Sequence, residues 1–185
     1  MWPLQVVFYF WEVIMKTKTL VMHALVAAIY TALCIALGAF SFGAIQVRIA
    51  ELLMVLCIFD KKYIYSLTFA CFISNLYGVM NGLDYLPLDV IFGTLATLIA
   101  GILMYKLKDV EFKGLPHLAL VMPALINGVI VGCELTYYFY VAGESLLGIF
   151  LMNFGSVFIG EIISVYLLGI LFYKPFKNLY TNINK

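Results

Sequence analysis

Cut at its clusters of charge and at its Gly, Pro and Asn turns, the chain falls into six apolar runs, at residues 19–39, 46–59, 63–80, 87–105, 116–140 and 146–173. The runs are long and unbroken. A transmembrane barrel would show short segments in which apolar and polar residues alternate, so the pattern predicts helices. About 20 residues cross a hydrocarbon core, and a chain of 185 residues, less its loops, has room for about six crossings. The expected architecture is an all-α integral membrane protein with six transmembrane helices in a single domain.

Composition removes the soluble alternative. Hydrophobic residues make up 65% of the chain and charged residues 11%, with a mean hydropathy of +1.06, against about 45–50% and about 25% in soluble domains. Cys34, Cys57, Cys71 and Cys133 lie within apolar runs without C-x-x-C spacing and read as small buried hydrophobes. His23 and His117 stand apart from each other and from them, so no metal site is expected.

Charge placement orients the bundle. Lys16 and Lys18 precede the first run, Lys61 and Lys62 follow the second, Lys106, Lys108 and Lys113 separate the fourth and fifth, and Lys174, Lys177 and Lys185 follow the sixth. Ten of the eleven Lys and Arg thus fall on one side, which the positive-inside rule assigns to the cytoplasm together with both termini. Only Arg48 breaks the pattern. It lies at the outer edge of the second run, and Glu51, Asp84, Asp89, Glu134 and Glu144 share its side. Ionisable groups at membrane depth cost several kcal/mol unless they are paired or face a cavity, so they point to function. With Arg48 and Glu51 set aside the second run is unusually short, a feature that marks binding sites in transporters.

Residues 1–14 are apolar and aromatic but too short to span, and they lack the basic flank and cleavage site of a signal peptide. The stretch Trp11-Glu12-Val13-Ile14-Met15 can be encoded by TGG-GAG-GTN, a purine-rich ribosome-binding sequence just before an ATG. The expectation is a native start at Met15, with residues 1–14 a non-native or upstream-translated extension of the 15–185 domain.

Three side-chain patterns carry chemistry or contact. Ala24, Ala28, Ala32 and Ala36 recur every fourth residue and form a methyl ridge on which another helix can approach closely. Gly128 and Gly132 form a similar pair, expected to serve packing inside the bundle. Arg48 and Glu51, three apart, share a helical face and are placed for a local ion pair. Asn75, Asn127 and Asn153 sit within runs where an amide needs a partner, either another helix or a ligand. Glu161 lies deeper than the outer acids, which suits a structural or coupling role. The chain has no G-x-x-x-x-G-K-[ST] loop, nucleophile elbow or H-E-x-x-H motif. It is therefore not expected to be an enzyme; active uptake would draw its energy from a partner or from ion coupling.

The run Phe42-Gly43-Ala44-Ile45-Gln46-Val47-Arg48-Ile49-Ala50-Glu51 resembles the F-G-x-I-Q-x-R-x-x-E signature of the QueT family. Leu88 to Leu98 resembles its D-x-x-F-G-S/T-L-A-T-L element, and Pro123 to Leu135 fits a third block. The resemblance covers the chain from Met15 to the last helix and includes its charged and polar positions. It implies a substrate-binding S component of an energy-coupling factor (ECF) importer in a bacterial cytoplasmic membrane, without its own ATPase or any cofactor. A transmembrane coupling subunit and two cytoplasmic ATPases would be its partners, with Ala24, Ala28 and Ala32 docking on the coupling subunit. The implied ligand is a queuosine precursor: 7-cyano- or 7-aminomethyl-7-deazaguanine, or queuine.

A 7-deazaguanine offers donors at N1, the 2-amino group and N9, an acceptor at O6 and a flat aromatic face. Carboxylates, amides and aromatic rings are the side chains that answer these groups. The outer half supplies Glu134, Asp89 and Glu51 with Arg48, the amides of Asn127, Asn75 and Gln46, and the aromatics Phe42, Tyr85 and Tyr137. Glu134 is expected to take the guanine-like edge. The competing readings are an S component for another small aromatic vitamin and a membrane-embedded transferase using paired carboxylates.

Overall fold

A computed structural model describes the backbone of residues 2–41, 47–84 and 86–183, with side chains described from residue 17 onward except at 39 and 40. Eight α-helices follow in order: α1 (Trp2–Ala36), α2 (Gly38–Ser41), α3 (Leu56–Phe59), α4 (Lys62–Met80), α5 (Asp89–Lys106), α6 (His117–Phe139), α7 (Leu146–Glu161) and α8 (Leu168–Ile183). A 3₁₀ segment, Ile49–Val55, leads into α3, and a π-helical segment, Ile162–Leu167, joins α7 to α8. No strand occurs among the described residues; one isolated bridge, Phe112 to Leu115, closes the α5–α6 turn.

Five of the described helical stretches are long and apolar enough to cross a bilayer: Thr17–Ala36, Lys62–Met80, Asp89–Lys106, His117–Phe139 and the continuous Leu146–Ile183. The second predicted run is a shorter apolar helix, Ile49–Phe59. At 1.5–2 Å of rise per residue this piece is only about 16–22 Å long, against a hydrocarbon core of about 30 Å. Its shortness was legible in the charges of Arg48 and Glu51, which interrupt the apolar run.

Both ends of the chain extend further into helix than the apolar pattern predicts. Residues 2–14 continue α1 backward, so they lengthen the first helix and form no segment of their own. At the other end, the apolar run stops at Lys174 and Pro175, yet α8 continues to Ile183. Its inner face carries Tyr173, Phe176 and Tyr180, which pack on the core. The Phe59 ring meets those of Tyr173 and Tyr180 at 5.3 and 5.9 Å between centroids, and Lys18 Nζ donates to the Ile183 carbonyl at 2.7 Å. Aromatic packing on one face thus holds the helix beyond the point where hydropathy ends.

The core runs along the bundle axis through the fully buried Tyr30, Met54, Leu67, Met104, Leu120 and Val165. Helix α6 is central, packed on α5 and α7, while α4 lies between α1 and α5. Gly128 and Gly132 serve the α6–α7 contact, as the small-residue spacing predicts. A Cβ at position 132 would lie 3.1 Å from the Phe154 Cα, and one at 128 would lie 2.9 Å from the Phe154 ring. Phe154 therefore fills the space these glycines leave.

Candidate functional site

The polar residues of the bundle interior are strongly unbalanced in charge. Among the described residues Glu51, Asp84, Asp89, Glu134 and Glu161 are buried acids, and Arg48 is the buried base. Burial of that many carboxylates in an apolar bundle is expensive unless each finds hydrogen-bond donors, a cavity or a ligand.

Arg48 organises one group of these residues. It stands at the start of the 3₁₀ segment, where Nη2 pairs with Asp89 Oδ2 at 2.5 Å and Nε donates to the Ser41 carbonyl at 3.2 Å. The sequence pattern suggested Glu51, three residues away, as its partner. The structure instead joins Arg48 to the first residue of α5, because the 3₁₀ winding turns Glu51 inward, where Oε1 accepts from the Tyr30 hydroxyl at 2.5 Å. Asn75 braces the same corner: its Nδ2 donates to the Asp89 carbonyl at 2.9 Å. Beneath them the Cys71 sulfur accepts from Thr97 Oγ1 at 3.2 Å and Asn75 Nδ2 at 3.7 Å, with Arg48 Nη1 at 4.0 Å.

Asp84 reaches this group from the α4–α5 turn. Gly82 adopts a positive φ of 67°, available to glycine without strain, and the reversal lets the Asp84 N–H bond the Gly78 carbonyl at 3.1 Å. Asp84 Oδ1 accepts from the Leu86 N–H at 2.9 Å. Its Oδ2 and Asp89 Oδ1 are buried without a donor. Burial, and next the nearby charge of Asp89, push the Asp84 carboxyl up to about 6.

Glu134 completes this group of acids from α6. Asp89, Asp84 and Arg48 lie within electrostatic reach of it, and neither of its buried oxygens has a hydrogen-bond partner. It lines a cavity of about 350 Å³ together with Leu88, Phe92, Ile130, Cys133 and Tyr137. That is the size and character of a small-molecule pocket, about 300–1,000 Å³ and mostly apolar with few polar groups. Tyr137 stands at its exposed rim.

A deeper pair joins α6 to the end of α7. Asn127 Nδ2 donates to Glu161 Oε1 at 2.9 Å, while Glu161 Oε2 and Glu51 Oε2 are buried without partners. Asn153 is occupied elsewhere, donating to Thr136 Oγ1 at 3.2 Å. Of the candidate ligand residues, Arg48, Asp89 and Asn75 are thus drawn into one network, Glu134 and Tyr137 share the cavity, and Glu51 and Asn127 point to the deeper layer. Phe42, Gln46 and Tyr85 lie outside the described residues. Tyr30, Gly93, Cys71 and Thr97 join the network without being anticipated. Each sits in an apolar run, and only the packing around Arg48, Glu51 and Asp89 reveals it.

On the opposite flank, Ala24, Ala28 and Ala32 are exposed. They line a groove of about 660 Å³ between α1 and α4, whose other wall includes Ser66, Phe69, Ala70 and Ile73.

The family model described as "QueT transporter" matches residues 20–178. The "Queuosine precursor transporter QueT" of Lactococcus lactis subsp. cremoris (strain MG1363) is 31% identical over 159 residues, covering 82% of this chain and 88% of the relative. No solved structure matches. The family match spans every element that carries the buried charges, from α1 to α8, and the chain belongs to the QueT transporter family.

Proposed function

We propose that the chain is the S component of an ECF-type importer and captures a 7-deazaguanine precursor of queuosine at the outer ends of α5 and α6. The observation that carries this reading is Glu134: a buried carboxylate with two unpartnered oxygens, lining a cavity of about 350 Å³ with Phe92 and Tyr137. Two acceptors in one plane match the N1–H and 2-amino donors of a guanine-like edge, and the aromatics offer stacking faces. The Lactococcus relative, a queuosine precursor transporter, supports the same ligand class.

Around that site, Asp89 and Arg48 form the wall, with Asn75 bracing it. The short Ile49–Phe59 piece belongs to the sixth crossing, and both termini lie in the cytoplasm of the bacterial cell, a reading that the lysine distribution supports. The exposed Ala24, Ala28 and Ala32 ridge receives the transmembrane coupling subunit, and two cytoplasmic ATPases supply the energy.

The test is calorimetric titration of the purified chain with 7-cyano-7-deazaguanine, 7-aminomethyl-7-deazaguanine and queuine, alongside identification of any small molecule that co-purifies. Saturable binding of one of the three supports the reading. Binding of none of them, with an unrelated aromatic vitamin recovered instead, overturns the ligand assignment.

A further inference from the structure

Three buried carboxylates come within electrostatic reach of one another from three separate elements: Asp84 from the α4–α5 turn, Asp89 from the first turn of α5 and Glu134 from α6. Among the described residues Arg48 is the buried base beside them, and its Nη2 is taken by Asp89 Oδ2. The corner therefore holds a surplus of acid. Asp84 adds to that surplus: its Oδ1 accepts from the Leu86 N–H at 2.9 Å, whereas its Oδ2, like Oδ1 of the neighbouring Asp89, is buried without a donor.

Glu134 shows where the surplus is felt. It is 4% exposed and both its oxygens lack partners, yet it lines the cavity of about 350 Å³ with Leu88, the residue before Asp89, and the rings of Phe92 and Tyr137. Negative charge in a low-dielectric surrounding attracts whatever cation enters, and aromatic faces favour one as well. Among the described residues no group of three acids, histidines or cysteines is close enough to hold a metal ion. The spread of the carboxylates suits a larger, organic cation.

We infer that Asp84 is a specificity-determining residue: with Asp89 and Glu134 it sets a field in the cavity that selects a ligand carrying a positively charged amine. The inference rests on the assignment of a 7-deazaguanine to the Glu134 cavity, and within that class it picks the 7-aminomethyl compound. The side chain of that compound is an alkyl amine and, like lysine, is an ammonium at neutral pH. Asp84 acts through its charge, and the field needs no contact between it and the ligand.

The experiment is calorimetry on the purified full chain with 7-aminomethyl-7-deazaguanine and its neutral 7-hydroxymethyl counterpart, which exchanges only the amine for a hydroxyl. At about pH 7.5 the wild type should favour the amine at least about tenfold. Asp84→Asn keeps an oxygen for the Leu86 N–H while removing the charge, and should lower that ratio about fivefold or more. An unchanged ratio in this variant overturns the inference, and so does an equal loss for both ligands, which would mark a structural role. pH supplies a second reading. Burial, and next the charge of Asp89, push the Asp84 carboxyl up to about 6, so the wild-type ratio should drop towards that of Asp84→Asn as pH falls through this value. Asp89, Glu134 and Arg48 face Asp84 and are common to both proteins, so the closing of the gap between them reports Asp84. A wild-type ratio that does not fall between about pH 7.5 and about pH 5 overturns the inference even if the variant does not fold. Equal binding of both ligands by the wild type refutes the selection by charge and leaves the 7-deazaguanine assignment standing. Binding of neither refutes that assignment, and this inference with it.

Discussion

The carboxylate of Asp89 folds back against Gly93, one turn further along α5, so closely that a Cβ at position 93 would overlap Asp89 Oδ1 and stand 2.9 Å from Asn75 Nδ2. Glycine is needed there for space, since the backbone is ordinary helix. Gly93→Ala should displace Asp89 from Arg48 and loosen the Asn75 brace. Overpacking of this kind costs about 1–3 kcal/mol, read as a lower thermal midpoint in detergent and weaker ligand binding. An alanine variant with unchanged midpoint and affinity would show that the corner has room to relax.

Glu134→Gln preserves shape while replacing one acceptor oxygen with a donor. Facing the donors of a guanine-like edge, the new N–H would oppose another N–H, and loss of one buried hydrogen bond of this type costs about 1–3 kcal/mol. Ligand affinity should fall at least about tenfold, with the fold intact by circular dichroism. Unchanged affinity removes Glu134 from the site.

Breaking the Arg48–Asp89 pair from either side should be far worse than removing it whole. Arg48→Met or Asp89→Leu leaves an unmatched buried charge, at a cost of about 3–5 kcal/mol, whereas replacing both with apolar residues can be nearly neutral. Chemical denaturation of the two single variants and the double variant measures the coupling. Simple additivity of the two single effects would mean that the charges do not depend on each other.

Asp84 lies outside the spans and confers a pH dependence of definite sign. Burial raises its carboxyl from 3.8 to about 6, so the folded protein holds this proton more tightly than the unfolded chain does. Its contribution to stability is present below about pH 4 and is lost as pH rises through about 6. The thermal midpoint should therefore carry a component that declines between these values, and Asp84→Asn, which mimics the protonated form, should lack it. A decline of equal size in both proteins would assign it to other groups.

Ala28→Trp or Ala32→Trp places a large ring in the exposed groove between α1 and α4. Close helix approach needs small side chains, so co-purification with the proposed coupling subunit should be lost while ligand binding by the isolated chain persists. A tryptophan variant recovered in normal yield with the proposed coupling subunit would remove this groove as its docking surface.

Much of this was legible along the chain, and what was hidden has a common cause. Helices α4, α5 and α6 announce themselves through long apolar runs, and the buried acids through their rarity. Arg48 was recognised as exceptional, but its partner was sought three residues away because periodicity reports only neighbours on one element; Asp89 is 41 positions distant. Tyr30 gave no sign of its bond to Glu51, since a tyrosine in an apolar run reads as bulk. The extension of α8 past Lys174 was hidden for a different reason. Its inner face repeats Tyr173, Phe176 and Tyr180 among lysines, an amphipathic pattern that an average over hydropathy erases.

The π-helical segment Ile162–Leu167 has a consequence for the phase of the last helix. A π turn inserts a residue relative to α winding, which offsets everything beyond it by about 100°. Glu161 faces Asn127 before the insertion, and Tyr173 and Tyr180 face Phe59 after it. With uninterrupted α winding, one of these two alignments would be lost. The segment works as a phase shifter, letting a single rod answer to two directions at once: the polar layer near its middle and the aromatic seam at its end.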